Sequence, residues 1–229
     1  MIIKYKDRID AGYKLAESLR KESKNRKISL TKENCVILAI PNGGIIPAYA
    51  VAKELNIKMN LIVVGKLKIP GTDIGIGSIT IDGNSVLNEA MINRYRLTKE
   101  KINEIERYEL DKMITKLETY DIAQIDLKKL SDKYVIIIDE GSKTGYSMIA
   151  AIKSVNLIAA PKIIIVALPA ASAHAIIQIN RFSRHIVCHN IIDSISYNFS
   201  DSYEHYHSLE AKDVLKYIEK IKEEDLLFT

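Results

Sequence analysis

Apolar and polar residues alternate along this chain in two different rhythms. Five short apolar runs are typical of strands buried on both faces of a sheet, and they lie at 34–40, 60–64, 134–138, 162–168 and 185–188. Stretches with apolar residues at helical spacing predict helices at 9–23, 45–55, 88–96, 98–120, 146–155, 173–180 and 208–222. Because strands and helices alternate with crossover-length spacing, the pattern predicts an α/β fold with a parallel sheet flanked by helices.

Two stretches depart from this alternation. The segment that follows residue 65 is rich in glycine and predicts a loop and then a hairpin that turns at Asp82-Gly83-Asn84. The segment 193–207 is polar and rich in tyrosine, which indicates a loop. Residues 1–229 are therefore interpreted as one domain, with an insertion or hood at about 66–120 on the sheet.

Composition and charge narrow the class of protein. Hydrophobic residues make up 47% and the net charge is +4, without a concentrated basic tract, so no nucleic-acid partner is predicted. Neither a signal peptide nor an uncharged apolar stretch of membrane-spanning length is recognisable, so no membrane partner is expected. Cys35 and Cys188 lack the spacing of a metal site and are expected to be buried thiols. These features predict a cytoplasmic protein.

The most informative chemistry follows the run at 134–138. Asp139 and Glu140 come directly after it, and the small residues of 141–145 then enter a helix. In parallel sheets, ligands bind at the carboxyl ends of the strands, and backbone N–H groups at a helix N-terminus bind anions. Neither GxxxxGK[ST] nor GxGxxG is present. Two acids beside a phosphate-binding loop suit a sugar phosphate, although an ordinary strand–turn–helix junction would show the same pattern.

Two further strand ends carry candidate residues. Pro41, Asn42, Gly43 and Gly44 follow the first strand, and the two glycines would expose backbone N–H groups to an anion, although a plain tight turn is an alternative. Lys66 follows the second predicted strand, where its ammonium group could meet a phosphate or simply lie in solvent.

Residues 135–147 fill every defining position of the thirteen-residue signature of type I phosphoribosyltransferases: four hydrophobic residues, two acids, a variable stretch, Thr-Gly and a further Ser or Thr. The chain therefore resembles that family. The resemblance implies that Asp139 and Glu140 contact ribose hydroxyls, that Pro41 to Gly44 form the pyrophosphate loop, and that Lys66 acts beside them. It also implies a 5-phosphate loop formed by Gly141, Ser142, Lys143, Thr144, Gly145, Tyr146 and Ser147.

The resemblance extends over most of the chain, through DRIDAGYKLAESL, IPNGGIIPAYAVAKEL, VVGKLKIPGTDIGIGSI, VLNEAM and IIIDEGSKTG. These segments look like a loosely characterised bacterial and archaeal subfamily of phosphoribosyltransferases. In that subfamily Asn42 is usually replaced by Arg and Gly65 commonly by a basic residue. Both departures remove positive charge from the side of the site where the resemblance places pyrophosphate.

What the resemblance implies is transfer of ribose 5-phosphate from phosphoribosyl pyrophosphate to a nitrogenous base or related acceptor, with release of pyrophosphate. Mg²⁺ would be held mainly by the ligand, with Asp139 and Glu140 as candidate protein contacts. A homodimer is also implied, with the helix at 98–120 as a candidate interface. The alternatives are a non-catalytic sensor of phosphoribosyl pyrophosphate or a nucleotide, and a hydrolase on the same scaffold. Tyrosines of the loop 196–207 could stack on a base or only pack on the sheet edge.

Overall fold

The computed structural model describes residues 4–121, 125–194 and 197–229. Its strands are β1 (Cys35–Ala39), β2 (Met59–Leu61), β3 (Val64–Lys68), β4 (Gly75–Thr80), β5 (Ser85–Leu87), β6 (Tyr134–Ile138), β7 (Ile163–Ser172) and β8 (His185–Ile192). Its α-helices are α1 (Arg8–Asn25), α2 (Ile45–Leu55), α3 (Glu89–Arg94), α4 (Lys99–Tyr120), α5 (Tyr146–Ala159), α6 (Ala173–Ile179) and α7 (Ala211–Glu223). Short 3₁₀ turns lie at Leu127–Leu130 and Phe199–Ser202.

Five strands form a parallel sheet in the order β2-β1-β6-β7-β8. Alternate residues of the central strands point to opposite faces, and both faces are buried. One face packs against α1, α2 and α7, and the other packs against α5 and the turn at Leu127–Leu130. Burial on both faces explains why the strands read as continuous apolar runs, and the predicted α/β fold is confirmed.

A second sheet holds β3, β4 and β5 in antiparallel order, and α4 packs on it through an apolar cluster that includes Leu67, Ile76, Ile105 and Met113. The predicted hairpin is present, because β4 and β5 pair on either side of residues 82–84. Gly83 has φ +84°, which a side chain would disfavour.

The prediction of one strand at 60–64 is wrong. The structure divides this run between β2, which pairs with β1 in the parallel sheet, and β3, which pairs with β4. The chain leaves the first sheet at Ile62 and Val63, and both remain buried, so the apolar pattern continues across the break. Lys66 consequently lies in the middle of β3 rather than at the end of a parallel strand.

Other boundaries shift at strand and helix ends. β7 and β8 extend to residues 172 and 192 and pair with each other over that length, well beyond the predicted ends at 168 and 188. The last helix begins at Ala211, and the cysteines are free, with Cys35 buried and Cys188 only partly buried. Within the described residues, no helix has both the length and the apolar character that crossing a bilayer requires.

Candidate functional site

The 41–44 turn and the acidic pair at 139–140 lie side by side, because β1 and β6 are adjacent parallel strands. The 41–44 turn follows β1, and Asp139 and Glu140 follow β6, so both emerge at one edge of the sheet. Gly43 packs directly against the Glu140 side chain, where the Cβ of any larger residue would overlap the carboxylate. Gly44 lies against the backbone of Asp139, 2.9 Å from its Cα at the position that a Cβ would take. The two glycines allow this close approach of the two loops.

Glu140 is tied into a buried ion pair that the sequence did not indicate. The Arg8 Nε donates to Glu140 Oε2, and the two side chains are 3% and 13% exposed. The same guanidinium donates through Nη2 to the His207 carbonyl at 2.9 Å. Removing one partner of a buried ion pair lowers the stability of the protein by much more than the intact pair contributes, because the other charge is left unpaired. Arg8 therefore holds Glu140 in position.

Two aromatic rings, Tyr203 and Tyr206, cover this ion pair. The Tyr206 ring centroid lies 4.4 Å from the Arg8 guanidinium carbon, and the Tyr206 hydroxyl donates to Glu140 Oε1 at 3.4 Å. The Tyr203 hydroxyl donates to the Glu140 carbonyl at 2.6 Å, and its ring packs on Tyr5. The buried tyrosines are therefore packing residues, whereas Tyr206 is partly exposed at the cleft. Of the predicted loop 196–207, Ser196 lies outside the described residues.

Asp139 is in a different electrostatic position. Burial and the neighbouring Glu140 carboxylate raise the pKa of Asp139 to about 7, although Lys66, the Glu140 N–H and Arg8 favour its charged form. Its Oδ1 accepts that N–H at 2.8 Å. Near neutral pH the side chain is therefore divided between a carboxylate and a protonated acid, which can accept or donate a hydrogen bond.

The loop after Glu140 is held in place by β7. The Ser142 N–H donates to the Ala170 carbonyl at 3.0 Å, and the Ser172 hydroxyl donates to the Lys143 carbonyl at 2.7 Å. Within the loop, the Ser142 hydroxyl accepts from the Gly145 N–H at 3.2 Å. Ser142 therefore stabilises the loop, whereas Thr144 is exposed.

The helix that follows this loop begins without a side-chain cap. Gly145 occupies the N-cap position with φ +85°, and the first turn of α5 contains no acid. The Ser147 hydroxyl lies 3.2 Å from the Ser78 hydroxyl of β4. An uncapped N-terminus without a nearby acid leaves N–H groups and the positive end of the helix dipole available to an anion.

The 41–44 turn is similar, except that the Glu140 carboxylate packs against Gly43. It leads into α2, whose N-cap residue Gly44 provides no side-chain cap and whose first turn also lacks an acid. The Pro41–Asn42 peptide bond is cis. Asn42 is held on both sides, because its Oδ1 accepts from the Tyr120 hydroxyl at 2.7 Å and its Nδ2 donates to the Leu209 carbonyl at 3.1 Å.

An open cleft of about 730 Å³ lies beside the 41–44 turn and Glu140, and its wall includes neither Asp139 nor the loop 141–147. Its wall is formed by Arg8, Pro41, Asn42, Gly43, Val64, Lys66, Glu109, Lys116, Glu140, Tyr206, Ser208 and Leu209. The structure thus brings Lys66 to the same cleft as Glu140 and the 41–44 turn, although it reaches there from β3. Asp139 and Glu140 are the strand-end carboxylates that could share Mg²⁺ with a phosphorylated ligand. Among the described residues, no group of three or more His, Cys, Asp or Glu is placed to hold a metal ion.

Three charged residues of the cleft wall were missed from the sequence, namely Arg8, Glu109 and Lys116, whereas Tyr206 belongs to the loop 196–207 that was a candidate for base stacking. Arg8 had a weak signal, since an arginine at the start of a helix is unfavourably placed relative to the helix dipole. Lys116 had none, because it lies among other charged residues of a long helix. Of the predicted hood, Lys66, Glu109 and Lys116 line this cleft, whereas residues 70–84 do not.

Comparison with known proteins agrees with this geometry. The family model described as "Phosphoribosyl transferase domain" matches residues 6–197. Two Mycobacterium tuberculosis proteins, named "Putative phosphoribosyl transferase Rv0571c" and "Putative phosphoribosyl transferase MT0597", are each 28% identical to this chain over 185 residues. These alignments cover 80% of this chain and 40% of each relative, so the chain spans less than half of their length.

A solved structure shows the same fold. The crystal structure of TT1426 from Thermus thermophilus superimposes with a TM-score of 0.73 at 23% sequence identity. The match covers 95% of this chain and 99% of that protein. At this level of identity the agreement concerns the architecture, including the parallel sheet that carries the cleft.

Proposed function

Because the chain belongs to the phosphoribosyl transferase domain family, we propose that its cleft binds phosphoribosyl pyrophosphate and transfers ribose 5-phosphate to a nitrogenous base or related acceptor. The observation that carries this proposal is the pair of uncapped helix N-termini at neighbouring strand ends, with Asp139 and Glu140 between them. A ligand with a phosphate at one end, a diol in the middle and a pyrophosphate at the other matches that order of groups.

The 5-phosphate is assigned to the loop 141–147. The N–H groups at the start of α5 would bind the phosphate oxygens, and the exposed Thr144 hydroxyl would add a donor. Ser142 would act indirectly, since its hydroxyl is engaged inside the loop.

The pyrophosphate is assigned to the turn Pro41 to Gly44 and to Lys66. Gly43 and Gly44 carry no side chains at the start of α2, so an anion could approach the backbone there. The Gly44 N–H already donates to the Ile40 carbonyl at 3.1 Å, so the Gly43 N–H would be the donor to the anion. Lys66 provides a positive charge in the same cleft. A polyanion bound there would be stabilised by both.

In the proposed reaction, the bond between the anomeric carbon and a pyrophosphate oxygen breaks, and a bond from that carbon to an acceptor nitrogen forms. A proton leaves that nitrogen, and the pyrophosphate departs as an anion. Positive charge develops on the sugar, so the acidic pair at 139–140 would both orient the ribose hydroxyls and stabilise that charge.

Magnesium fits this donor set. The ion usually binds one or two carboxylates and completes its shell with substrate phosphates and water. Asp139 and Glu140 offer those carboxylates, and the ion would neutralise part of the charge on the pyrophosphate.

A non-catalytic sensor of phosphoribosyl pyrophosphate or a nucleotide is the second candidate. It is favoured by Asn42, whose uncharged side chain is engaged by Tyr120 and Leu209 and so presents no cation to the pyrophosphate. Release of pyrophosphate in the presence of purine and pyrimidine acceptors separates the two functions, because a sensor would bind the ligand without turnover.

The test of the binding proposal is a calorimetric titration with phosphoribosyl pyrophosphate in the presence and absence of Mg²⁺. Thr144→Val keeps the shape of the loop residue and removes its hydroxyl, so we expect weaker binding of phosphoribosyl pyrophosphate and ribose 5-phosphate by about tenfold. Inorganic pyrophosphate should bind the variant as it binds the wild type. Thr115→Val on the exposed side of α4 is the matched control.

Thermal unfolding gives an independent readout. A ligand at 100 times its dissociation constant adds about 2.7 kcal/mol to the free energy of unfolding. Absence of this stabilisation in the wild-type protein, with and without Mg²⁺, would contradict the proposal. Binding that Thr144→Val leaves intact would mean that the ligand occupies another part of the surface.

A further inference from the structure

One stripe of helix α4 faces the cleft. Glu109, Met113, Lys116 and Tyr120 are spaced by four, three and four residues, so they lie on the same side of the helix. Glu109 and Lys116 line the cleft, Met113 packs in the apolar cluster under β3, and Tyr120 reaches the 41–44 turn. The stripe therefore links the second sheet to the turn where pyrophosphate is proposed to bind.

Gly65 allows α4 to lie this close. The Cβ of a larger residue at this position would be 2.7 Å from Met113 Sδ and would overlap Glu109. Contacts that short do not occur between real side chains, so any other residue here would displace the Glu109 and Met113 side chains that α4 places against β3. The space that a side chain at position 65 would fill is thus occupied by the helix.

Asn42 fixes the other end of the same helix. The Tyr120 hydroxyl, in the last turn of α4, donates to Asn42 Oδ1 at 2.7 Å. Tyr120 is itself 1% exposed, so this bond is protected from water. The two uncharged residues at the pyrophosphate side, Asn42 and Gly65, therefore both hold α4 against the cleft.

Lys116 is the residue that this docking brings into the cleft. It is partly buried, and it forms no ion pair or hydrogen bond with a described residue; its ammonium lies 5.8 Å from the centroid of the Tyr120 ring. The acid nearest to it on the helix stripe, Glu109, is paired with Lys112 at 2.8 Å. Burial lowers the pKa of Lys116, and the charges of Lys112 and Lys66 add to this, although Glu109 opposes it.

We propose that Lys116 is a ligand-binding residue that, together with Lys66, holds the pyrophosphate group, and that Asn42 and Gly65 serve this by docking α4. A partly buried cation without a counterion is unfavourable in the free protein, and a polyanion in the same cleft removes that cost. Asn42 and Gly65 carry no positive charge, and Lys116 of α4 supplies one in their place. This inference rests on the proposed function, since it concerns the same cleft.

The experiment measures binding of inorganic pyrophosphate, phosphoribosyl pyrophosphate with Mg²⁺, and ribose 5-phosphate to the full chain by calorimetry. Lys116→Gln removes the charge, and Lys116→Arg retains it. Lys99→Gln is the matched control, because it removes one exposed lysine at the opposite end of the same helix, outside the wall of the cleft.

We expect Lys116→Gln to weaken both pyrophosphate-containing ligands by about tenfold and ribose 5-phosphate by less than about twofold. Lys116→Arg should bind the pyrophosphate-containing ligands within about threefold of the wild type. The melting temperature of Lys116→Gln should equal or exceed that of the wild type, because an uncompensated partly buried charge is lost. If Lys116 had a purely structural role, Lys116→Gln would instead lower the melting temperature and would weaken the binding of all three ligands by the same factor.

The outcomes separate this inference from the proposed function. Equal affinities for Lys116→Gln and Lys99→Gln would overturn the role of Lys116 and leave the proposed function standing. Wild-type binding of pyrophosphate alone, weakened by Lys116→Gln, would support the role of Lys116 and overturn phosphoribosyl pyrophosphate as the ligand. A wild-type protein that binds neither pyrophosphate nor phosphoribosyl pyrophosphate would overturn both the role of Lys116 and the proposed function.

Discussion

The raised pKa of Asp139 predicts an unusual dependence of stability on pH. The carboxyl loses its proton near pH 3.8 in an unfolded chain and near pH 7 in the folded protein. Between these values the folded state binds more protons than the unfolded state, so the free energy of unfolding contributed by this group falls as pH rises. The contribution is fully present below about pH 4 and is lost by about pH 7.

The magnitude follows from the size of the shift. Each pKa unit corresponds to about 1.36 kcal/mol, so keeping Asp139 ionised in the folded protein costs on the order of 4 kcal/mol at pH 8. Asp139→Asn removes the titrating group and keeps an oxygen that can accept the Glu140 N–H. We therefore expect the variant to match the wild type in stability at pH 4 and to exceed it at pH 8 by up to that amount.

The assay is urea unfolding monitored by circular dichroism, repeated at intervals from pH 4 to pH 8. The quantity of interest is the difference in free energy of unfolding between variant and wild type at each pH, because groups that titrate independently of Asp139 then cancel. Asp111→Asn, which removes an exposed carboxylate of α4, controls for the loss of one negative charge. A difference that stays constant with pH, or a variant less stable than the wild type at pH 8, would refute the reasoning.

Three further predictions concern the ion pair and the assembly. Arg8→Met should lower the free energy of unfolding by about 3–5 kcal/mol, and Arg8→Met/Glu140→Gln should recover part of it, in urea unfolding of the four members of a double-mutant cycle. Gly43→Ala should displace the Glu140 carboxylate, which Arg8 holds in place, and should lower both the melting temperature and the affinity for phosphoribosyl pyrophosphate by calorimetry. A homodimer is expected, and a monomer mass in light scattering would contradict it.

The α/β class and the position of the acidic pair were predictable from sequence because both depend on local patterns. A continuous apolar run such as Val135 to Ile138 indicates a strand buried on both faces, and the residues that follow it must emerge at the sheet edge. The hairpin at residues 82–84 was predictable for the same reason, since a short turn with glycine has a local conformational cause.

The division of the second strand was not predictable. The residues from Met59 to Val64 are buried throughout, and burial gives the same pattern whether the backbone pairs with β1 or turns into another sheet. The alternation of exposed Lys66 with buried Leu67 is the one local sign that β3 has a solvent-facing side. Pairing partners depend on neighbours far away in sequence, which the period of a single run does not record.

The sequence by itself determined the alternation of helices with buried parallel strands, the place of Asp139 and Glu140, and the small residues of the two candidate anion-binding loops. Only the tertiary structure decided what surrounds them. It pairs Arg8 with Glu140 across 132 residues of chain, covers that pair with Tyr206, and brings Lys116 to the cleft by docking α4 on Gly65 and Asn42. Side chains of ordinary type acquire these roles only through packing, because burial and proximity to distant charges are properties of the folded chain.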